Sequence, residues 1–355
     1  MERGITEQAL VVLGDTLRAY LQGESVPGRF DFRGRIDEAI AVAGVKNPWF
    51  TADAVKYCLG AWAKALQPEK IDQWMARYPL LNGAPAKRPK TVAVVAAGNI
   101  PMVGMHDMIS VLLSGNTALI KLSESDKVLL PLMFAILTDA QPDLNGKATF
   151  TTDTIKDFDA VIATGSDNTN RYFEYYFGKY PNLLRKNRNS VAVLTGNESL
   201  IALDELCQDL FLYYGMGCRS VSKLYVPKGY DFDGLLTLFN VWDHIGNHHR
   251  YRNNYDYHKS IMMINKIPFL SHRNALIARN EALGSPLSVI HYEEYTDIHT
   301  LSEELARQEA LIQCVASSLK ITPNAVPLGT TQEPELWDYA DGTDTLLFLQ
   351  NLPKA

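Results

Sequence analysis

The stretch that decides the fold of this chain is Thr91–Pro101, which reads TVAVVAAGNIP. Its first seven residues form a short apolar run, as is typical of a strand buried on both faces of a parallel sheet. A turn follows at once, and ligands bind at the carboxyl ends of strands in such sheets. Asn99 lies in this turn, where two interpretations stay open. It is an amide donor to a developing oxyanion, or an asparagine in a left-handed turn before a helix.

Strand and helix patterns alternate outward from this stretch. The apolar spacing predicts, in chain order, a helix over 103–113, a strand over 117–122, a helix over 129–138, strands over 148–151 and 159–164, a helix over 171–177 and a strand over 190–194. This alternation predicts an α/β protein with a doubly wound parallel sheet. Before the sheet, residues 1–75 have helical spacing, and the proline-rich segment 79–89 is predicted to be a connector.

With 355 residues the chain is long enough for two domains, and the sequence predicts three segments. Residues 1–203 are predicted to hold the N-terminal helices and a dinucleotide-binding domain. Residues 204–325 are predicted to form a second α/β domain, which carries Cys218 between a helix and a strand. The remaining residues 326–355 are predicted to return to the first domain or to form an oligomer interface, with a final strand at Leu346–Leu349.

Composition excludes several function classes. The formal net charge of −6 gives no global basic field for nucleic acid or a membrane surface. No apolar run approaches the roughly 20 residues of a membrane span, and the N-terminus lacks the apolar core of a signal peptide. The four cysteines are scattered without paired spacing, which argues against a disulfide framework or a structural zinc site. These features predict a protein of the reducing cytoplasm.

Cys218 is the candidate nucleophile. It lies in the segment GMGCRSVS, residues 215–222, between a glycine and an arginine. Small neighbours let a substrate approach the sulfur, and the adjacent cation favours the thiolate. A cysteine in such a place fits covalent catalysis through a thioester. The competing interpretation is a buried thiol that acts only as a small apolar side chain.

Two strand ends offer candidate nucleotide contacts. Lys121, Ser123 and Glu124 lie at the end of one strand, where they fit ribose hydroxyls or phosphates, or only a solvated strand end. Gly165 and Ser166 precede a helix, and a helix N-terminus with small residues favours a pyrophosphate. The full glycine fingerprint of dinucleotide sites is missing from this segment, so the motif alone is not decisive.

Four histidines lie in or near the polar region over 242–260. His244 and His248 have the spacing of two metal ligands on one helical face. No nearby cysteine or carboxylate completes a ligand set, so the sequence predicts no metal site. The alternative, which includes His249 and His258, is a polar and partly basic surface.

In chain order these segments resemble the aldehyde dehydrogenase superfamily and, within it, the LuxC-type acyl-CoA reductases, from about residue 90 to the C-terminus. The resembling segments are AGNIP at 97–101, KLSE at 121–124, TGS at 164–166, GC at 217–218, EALGSP at 281–286 and YADGTDT at 339–345. Leucine replaces the proline of the ribose-binding segment, and the segment 281–286 has one extra residue. The resemblance rests on the order of these segments, which is the same as in the superfamily.

The resemblance implies an aldehyde dehydrogenase-like fold, with a Rossmann-type cofactor domain and an α/β catalytic domain. Cys218 would be the nucleophile, and Asn99 would line the oxyanion hole. The implied cofactor-binding residues are Lys121, Ser123 and Glu124 at a ribose, Gly165 and Ser166 beside the dinucleotide, and Glu281 at the nicotinamide ribose. The implied cofactor is NADPH, or NADH, and the implied assembly is a homo-oligomer.

One departure from the superfamily pattern bears on the reaction. Hydrolytic aldehyde dehydrogenases carry a glutamate before the cysteine, which activates the water that cleaves the acyl-enzyme. The corresponding stretch here, residues 185–192, reads RKNRNSVA and has no carboxylate. The resemblance therefore predicts reduction of an acyl-CoA, of the fatty acyl class, to an aldehyde. Two alternatives stay open: an NAD(P)-dependent aldehyde dehydrogenase that forms acid or acyl-CoA, and a non-catalytic partner that binds acyl groups or nucleotides.

Overall fold

The computed structural model describes residues 3–26, 28–81, 89–165 and 167–353. The chain divides into two compact units, one made of Met1–Lys186 with Pro334–Ala355 and one made of Asn187–Glu333. Most of the predicted connector over 79–89 lies outside the described residues. Its start, Pro79–Leu81, is a short 3-10 turn.

Helices open the first unit, as the spacing over residues 1–75 predicts. They are α1 at Ile5–Gln22, α2 at Phe32–Lys46, α3 at Ala52–Ala65 and α4 at Pro68–Met75. Helix α1 begins where the Glu7 carboxylate accepts a hydrogen bond from the Gly4 N–H. It ends at Gly23, whose φ of 75° is strained for any residue with a Cβ. The local chemistry of the caps therefore sets both ends of this helix.

A parallel sheet forms the body of the first unit. Its elements are β1 at Thr91–Val95, α5 at Met105–Leu113, β2 at Thr117–Lys121, α6 at Leu129–Ala140, β3 at Ala148–Thr151, β4 at Ala160–Thr164, α7 at Asp167–Phe177 and β5 at Asn182–Arg185. The strand order is β3-β2-β1-β4-β5, and every pairing is parallel. The predicted α/β class and doubly wound sheet are confirmed. The strand order reverses between β1 and β4, which is where such sheets bind ligands.

The apolar run of β1 explains why this strand lies at the centre of the sheet. Val94 aligns with Ile120 of β2 and with Ile162 of β4, and all three side chains are buried. Branched side chains pack well on a pleated surface that is covered on both faces. Strand β1 therefore lies in the middle of the core of the first unit.

The second unit is built on a seven-stranded sheet. Its elements are β6 at Asn189–Val193, α8 at Leu200–Phe211, β7 at Val221–Pro227, α9 at Asp233–Leu238, α10 at His249–Ile264, β8 at Phe269–Ser271, β9 at Leu276–Arg279, β10 at Val289–Tyr295, α11 at Ile298–Arg307, β11 at Ile312–Ala316 and β12 at Ala325–Val326. The strand order is β12-β11-β6-β7-β10-β9-β8. Only the β8–β9 pairing is antiparallel among these strands.

The position of β6 corrects one sequence prediction. The strand over 190–194 is predicted as the last member of the first sheet, but β6 pairs with β7 and β11 in the second. An apolar strand suits either sheet, and only its hydrogen-bonding partners distinguish them. The chain accordingly divides after Lys186 rather than after the predicted residue 203.

Helix α8 begins at Ser199, whose hydroxyl accepts a hydrogen bond from the Ala202 N–H. It ends at Phe211, before two tyrosines with left-handed backbone. The helix predicted over 204–214 is therefore present but shifted towards the N-terminus. No helix in the described part of the chain combines the length and apolar character needed to cross a membrane.

The C-terminal segment belongs to the first unit and ends in α12 at Thr345–Gln350. The predicted final strand at Leu346–Leu349 is wrong. Asp344 caps this helix by accepting a hydrogen bond from the Leu347 N–H at 2.8 Å, and Leu346 and Leu349 are buried at helical spacing. Four apolar residues in a row fit a strand or a buried helix, and the capping aspartate decides between them.

Candidate active site

Cys218 is exposed, whereas Cys58, Cys207 and Cys314 are buried. This difference removes the interpretation of Cys218 as a small core side chain. The residue lies between α8 and β7, in the second unit. Among the four cysteines it is therefore the one that a substrate in solution can reach.

The approach to Cys218 has an unusual backbone. Tyr213, Tyr214 and Gly215 follow one another with φ of 52°, 59° and 73°, all in the left-handed region. A left-handed conformation costs a non-glycine residue roughly 1–2 kcal/mol, so two tyrosines in this state store local strain. Tyr213 is buried and the Tyr214 ring packs 4.8 Å from the His248 ring, which holds the reversal in place.

The turn that carries Cys218 is closed by its own residues. The Ser220 N–H donates to the Gly217 carbonyl at 3.0 Å, and the Gly217 N–H donates to the Ser220 hydroxyl at 3.1 Å. The Gln332 side-chain amide donates to the same hydroxyl at 3.2 Å. A Cβ on Gly217 would lie 3.2 Å from Ser220 Oγ, so a larger residue would crowd the turn.

A buried hydroxyl also supports Cys218 from the sheet. Ser190 of β6 is fully buried, and its Oγ donates to the Cys218 carbonyl at 3.0 Å. Cys314 of β11 lies with its Sγ 3.1 Å from the same Oγ. Burial raises the pKa of the Cys314 thiol, so it stays protonated and donates to Ser190. The Cys314 thiol thus donates to Ser190, and Ser190 donates to the Cys218 carbonyl, so these two hydrogen bonds in series orient the backbone at Cys218.

Asp209 of α8 holds the segment that leads to Gln332. Its carboxylate accepts hydrogen bonds from the Gly329 N–H at 2.6 Å, the Thr331 N–H at 3.0 Å and the Thr331 hydroxyl at 2.7 Å. The residue is fully buried, and desolvation raises its pKa from 3.8 to about 6 despite these donors. Asp209 therefore positions Gln332, which in turn positions the turn of Cys218.

The raised pKa of Asp209 predicts a pH dependence of stability. The folded state binds this proton more tightly than the unfolded state, so the contribution of Asp209 favours folding below pH 4 and is lost as pH rises towards 6. Measured by urea unfolding, the free energy of unfolding of the wild type should fall by about 1 kcal/mol relative to that of Asp209→Asn as the pH rises from about 5 to about 8.

Asp204→Asn, at an exposed position of the same helix, is the matched control. This variant shows what the loss of an exposed carboxylate from the same helix does to the free energy of unfolding. A constant difference between Asp209→Asn and the wild type would show that the buried carboxyl has an ordinary pKa.

In the first unit, the turn of Asn99 contacts the turn that follows β2, where Ser123 and Ser125 lie. A Cβ on Gly98 would lie 2.7 Å from the Cβ of Ser123 and 2.9 Å from the Cβ of Ser125, so this approach requires glycine. Asn99 itself is exposed. The left-handed position of this turn is Met102, with φ of 58°, rather than Asn99. The structure therefore brings two of the predicted motifs together at the carboxyl ends of β1 and β2.

Lys121 and Glu124 both have partners at this edge. Lys121 Nζ donates to the carbonyl oxygens of Thr152 and Asp153 at 2.8 and 3.0 Å. The Glu124 carboxylate pairs with Lys127 Nζ at 2.6 Å, and this contact lowers the Glu124 pKa. Two of the three Lys121 N–H groups are thus engaged with backbone, and the ammonium is held in one place beside the strand end.

Gly165 ends β4 and lets α7 approach closely. A Cβ there would lie 2.8 Å from the ring of Phe173 and 3.0 Å from the Cβ of Thr169. The predicted Ser166 lies outside the described residues. Gly165 therefore has a structural reason to be glycine, at the strand end beside the reversal of strand order.

Glu281 lies in the second unit, after β9, with an exposed side chain. Its carbonyl oxygen accepts a hydrogen bond from Lys223 Nζ at 2.7 Å. Cys218 and Glu281 thus share a unit, while Asn99, Lys121, Ser123, Glu124 and Gly165 belong to the other. A joint role of the two sets stays a prediction.

The histidine group has structural roles. His248 caps α10, because its Nδ1 accepts a hydrogen bond from the Tyr251 N–H at 3.4 Å, and His244 stacks on Trp242 with ring centroids 5.6 Å apart. His258 contacts the Tyr257 ring, and His249 lies within hydrogen-bond distance of Asn253. Within residues 3–26, 28–81, 89–165 and 167–353, no group of three or more histidine, cysteine, aspartate or glutamate residues could hold a metal ion.

Several supporting residues escape sequence reasoning. They are Ser190, Asp209, Ser220, Lys223 and Gln332. Each lies in a separate element and meets the candidate site only through the packing of the second unit. A lysine in the middle of a strand gives no signal of burial, since lysine is usually exposed. Only Ser220 has a local signal, because it lies two residues from Cys218.

Comparisons with known proteins add a family and a fold. The sequence model of the acyl-CoA reductase (LuxC) family matches residues 63–233, a range that includes both Asn99 and Cys218. A search of curated proteins gives no significant match. This match supports an oxidoreductase of aldehyde chemistry.

Solved aldehyde dehydrogenases have a similar fold. Aldehyde dehydrogenase 21 from Physcomitrella patens, in complex with succinate, is 13% identical, with a TM-score of 0.65 over 98% of this chain and 84% of its own. An indole-3-acetaldehyde dehydrogenase variant from P. syringae, in complex with NAD⁺, is 13% identical, with a TM-score of 0.60 over 88% and 71%. A salicylaldehyde dehydrogenase from Pseudomonas putida is 12% identical, with a TM-score of 0.61 over 88% and 72%.

At these identities the likeness shows the fold alone. The fold and the family match nevertheless agree with the order of motifs in the sequence. Together they confirm the predicted resemblance to LuxC-type acyl-CoA reductases and to the aldehyde dehydrogenase fold.

Proposed function

We propose that this protein reduces an acyl-CoA of the fatty acyl class to an aldehyde with NADPH, or NADH, through an acyl-enzyme on Cys218. The observation that carries the proposal is the exposure of Cys218 on a turn that is fixed from the sheet and from Gln332. The match of residues 63–233 to acyl-CoA reductases supports the same reaction.

The first half of the reaction belongs to Cys218. Its thiolate attacks the acyl thioester, and the carbonyl oxygen becomes an oxyanion. The proposed donor to this oxyanion within the second unit is the Cys218 backbone N–H, and the Asn99 amide is the further donor that the resemblance implies. The carbon–sulfur bond to coenzyme A then breaks, coenzyme A leaves as a thiolate that takes up a proton, and the acyl group stays on Cys218.

A nicotinamide cofactor fits the edge of the first sheet. Lys121 and Glu124 offer a charged donor and a carboxylate at the strand ends, where Gly98 and Gly165 let neighbouring segments pack closely. Two neighbours in the fold are recorded with NAD⁺, from P. syringae and Bacillus cereus. When bound, the cofactor supplies a hydride to the acyl carbon. The tetrahedral oxyanion that hydride addition would form on Cys218 then collapses, because the carbon–sulfur bond breaks to release the aldehyde and the Cys218 thiolate.

Aldehyde oxidation is the second candidate, favoured by the likeness to aldehyde dehydrogenases. Formation of acid would require a base that activates water against the acyl-enzyme. Residues 185–192 contain no carboxylate, and Arg185 in this stretch is committed to a buried ion pair with Asp107. Reduction of the thioester needs no such base, so this stretch supports the acyl-CoA reductase. A homo-oligomer and a cytoplasmic location stay predictions.

One experiment in two steps tests the proposal. The protein is incubated with acyl-CoAs of several chain lengths and weighed intact, and NADPH or NADH is then added while absorbance is followed. We expect one acyl adduct on the wild type, its loss on addition of the reduced cofactor, and release of aldehyde. An adduct that survives in Cys218→Ser would overturn the proposed chemistry. Stable acyl-CoA binding without an adduct would favour a non-catalytic binding protein.

A further inference from the structure

The loop that carries Glu281 is held at three consecutive carbonyl oxygens. Those of residues 281–283 each accept a hydrogen bond from a side chain of β7 or β10. In order, the donors are Lys223 Nζ at 2.7 Å, His291 Nδ1 at 3.0 Å and Ser222 Oγ at 2.7 Å. A carbonyl oxygen only accepts, so His291 carries a proton on Nδ1. Hydrogen bonds to three consecutive carbonyl oxygens restrain the backbone of residues 281–283.

Lys223 is the buried charge of this arrangement, with 1% of its side chain exposed. Its ammonium has a carboxylate partner in Glu293 Oε2 at 2.7 Å and lies 4.6 Å from the centroid of the Tyr225 ring. A buried ion pair adds little net stability over an apolar pair of the same size. The effect of Lys223 here is to hold the loop, because its ammonium links β7 to the Glu281 carbonyl.

The same strand links the loop to Cys218. Ser222 and Lys223 follow Cys218 by four and five residues, at the start of β7. The far end of the loop packs closely on β6, since a Cβ on Gly284 would lie 2.9 Å from Asn189 Oδ1. Strands β6 and β7 therefore support both the turn of Cys218 and the loop of Glu281, in one unit.

We propose that Lys223, together with Ser222 and His291, is a positioning residue that restrains the backbone at Glu281 and so sets where its exposed carboxylate lies relative to Cys218 in the same unit. The resemblance implies that this carboxylate binds the ribose of the nicotinamide cofactor, and its placement would then set the distance between the cofactor and the acyl group on Cys218. This inference rests on the proposed function. Hydride transfer depends steeply on the placement of the two reacting carbons, so a loose loop weakens cofactor binding and reduction without changing acylation.

The test separates the two half-reactions. Acylation of Cys218 by acyl-CoA is followed by intact mass without cofactor, and KM for NADPH is measured in full turnover. In Lys223→Met, the loss of one charged hydrogen bond should raise the cofactor KM by about tenfold and leave the acylation rate within about twofold. Ser222→Ala removes a smaller anchor of the same loop, and its cofactor KM should rise about threefold to fivefold.

Two controls isolate the loop. Lys228→Met makes the same substitution at an exposed position just after β7 and should match the wild type. Glu293→Gln removes the ion pair while the Lys223 contact with the Glu281 carbonyl stays, so its cofactor KM should rise less than that of Lys223→Met. If Lys223→Met does not fold, Ser222→Ala decides the outcome by the same two rates.

The possible outcomes are distinct. An active wild type with unchanged cofactor KM in both Lys223→Met and Ser222→Ala overturns the positioning role alone. Equal losses of acylation and reduction in folded variants also overturn it, because they indicate a general structural role. A wild type that neither acylates nor oxidises the cofactor overturns the proposed function together with this inference.

Discussion

Cys218→Ser is expected to lower aldehyde formation from acyl-CoA by at least about 10³-fold, the largest effect on activity that the structure predicts. A serine hydroxyl has a far higher pKa than a thiol, so no comparable nucleophile forms near neutral pH. Because Cys218 is exposed and its carbonyl keeps the contact with Ser190, the free energy of unfolding should change by less than about 0.5 kcal/mol. Steady-state turnover and urea unfolding measure the two quantities.

The matched control is Cys58→Ser in the first unit, whose hydroxyl can keep the contact with the Pro101 carbonyl at 3.5 Å. This variant should keep its activity within about threefold, at some cost in stability because the site is buried. Turnover in Cys218→Ser near that of the wild type would exclude covalent catalysis by this residue.

Arg185→Met is expected to destabilise the first unit by about 3–5 kcal/mol, the largest effect on stability. Arg185 and Asp107 form a bidentate pair at 2.6 and 2.7 Å with side-chain exposures of 6% and 4%. Arg185 Nη2 also donates a hydrogen bond to the Thr345 hydroxyl at 2.9 Å, at the start of α12. Loss of the guanidinium leaves a buried carboxylate without its cation, and removes one attachment of the C-terminal segment. Chemical unfolding, with limited proteolysis of the C-terminal segment, measures both effects.

Two variants control this result. Arg18→Met removes an exposed pair with Asp15 and should cost less than about 1 kcal/mol. The double variant Arg185→Met with Asp107→Leu removes both charges and should recover much of the loss, since a buried ion pair often has an apolar replacement of similar stability. If Arg185→Met alone stays within about 1 kcal/mol of the wild type, the pair does not stabilise this unit.

Residues 339–345, the C-terminal motif, are held to the first unit by hydrogen bonds of their side chains. The Tyr339 hydroxyl accepts a hydrogen bond from the Trp74 ring N–H at 2.7 Å, and the Tyr78 hydroxyl donates to Asp344 at 2.6 Å. With the contact of Arg185 to Thr345, these bonds join the segment to α4 and its neighbours. A motif that the sequence connects only to a family thus serves as an attachment of the last residues to the first unit.

The sequence by itself determined the elements whose signals are local. The apolar run of β1 and the turn at Gly98 predict a buried strand with a ligand edge, and the glycine and arginine beside Cys218 predict a reactive thiol. These patterns depend on neighbours a few residues away, so they can be read without the fold. The resemblance to a family and the fold class follow from their order, and the comparisons agree with the resemblance and confirm the fold class.

Only the tertiary structure decided which sheet β6 joins, that Leu346–Leu349 is helical, and that Lys223 is buried beneath the Glu281 loop. The same holds for the contact of Ser190 with Cys218. An apolar strand pairs equally well with several partners, and a lysine or serine is buried only where distant residues supply its hydrogen bonds. Such partners are far apart in the chain, so the support of the candidate nucleophile is fixed by packing and leaves no pattern in the sequence.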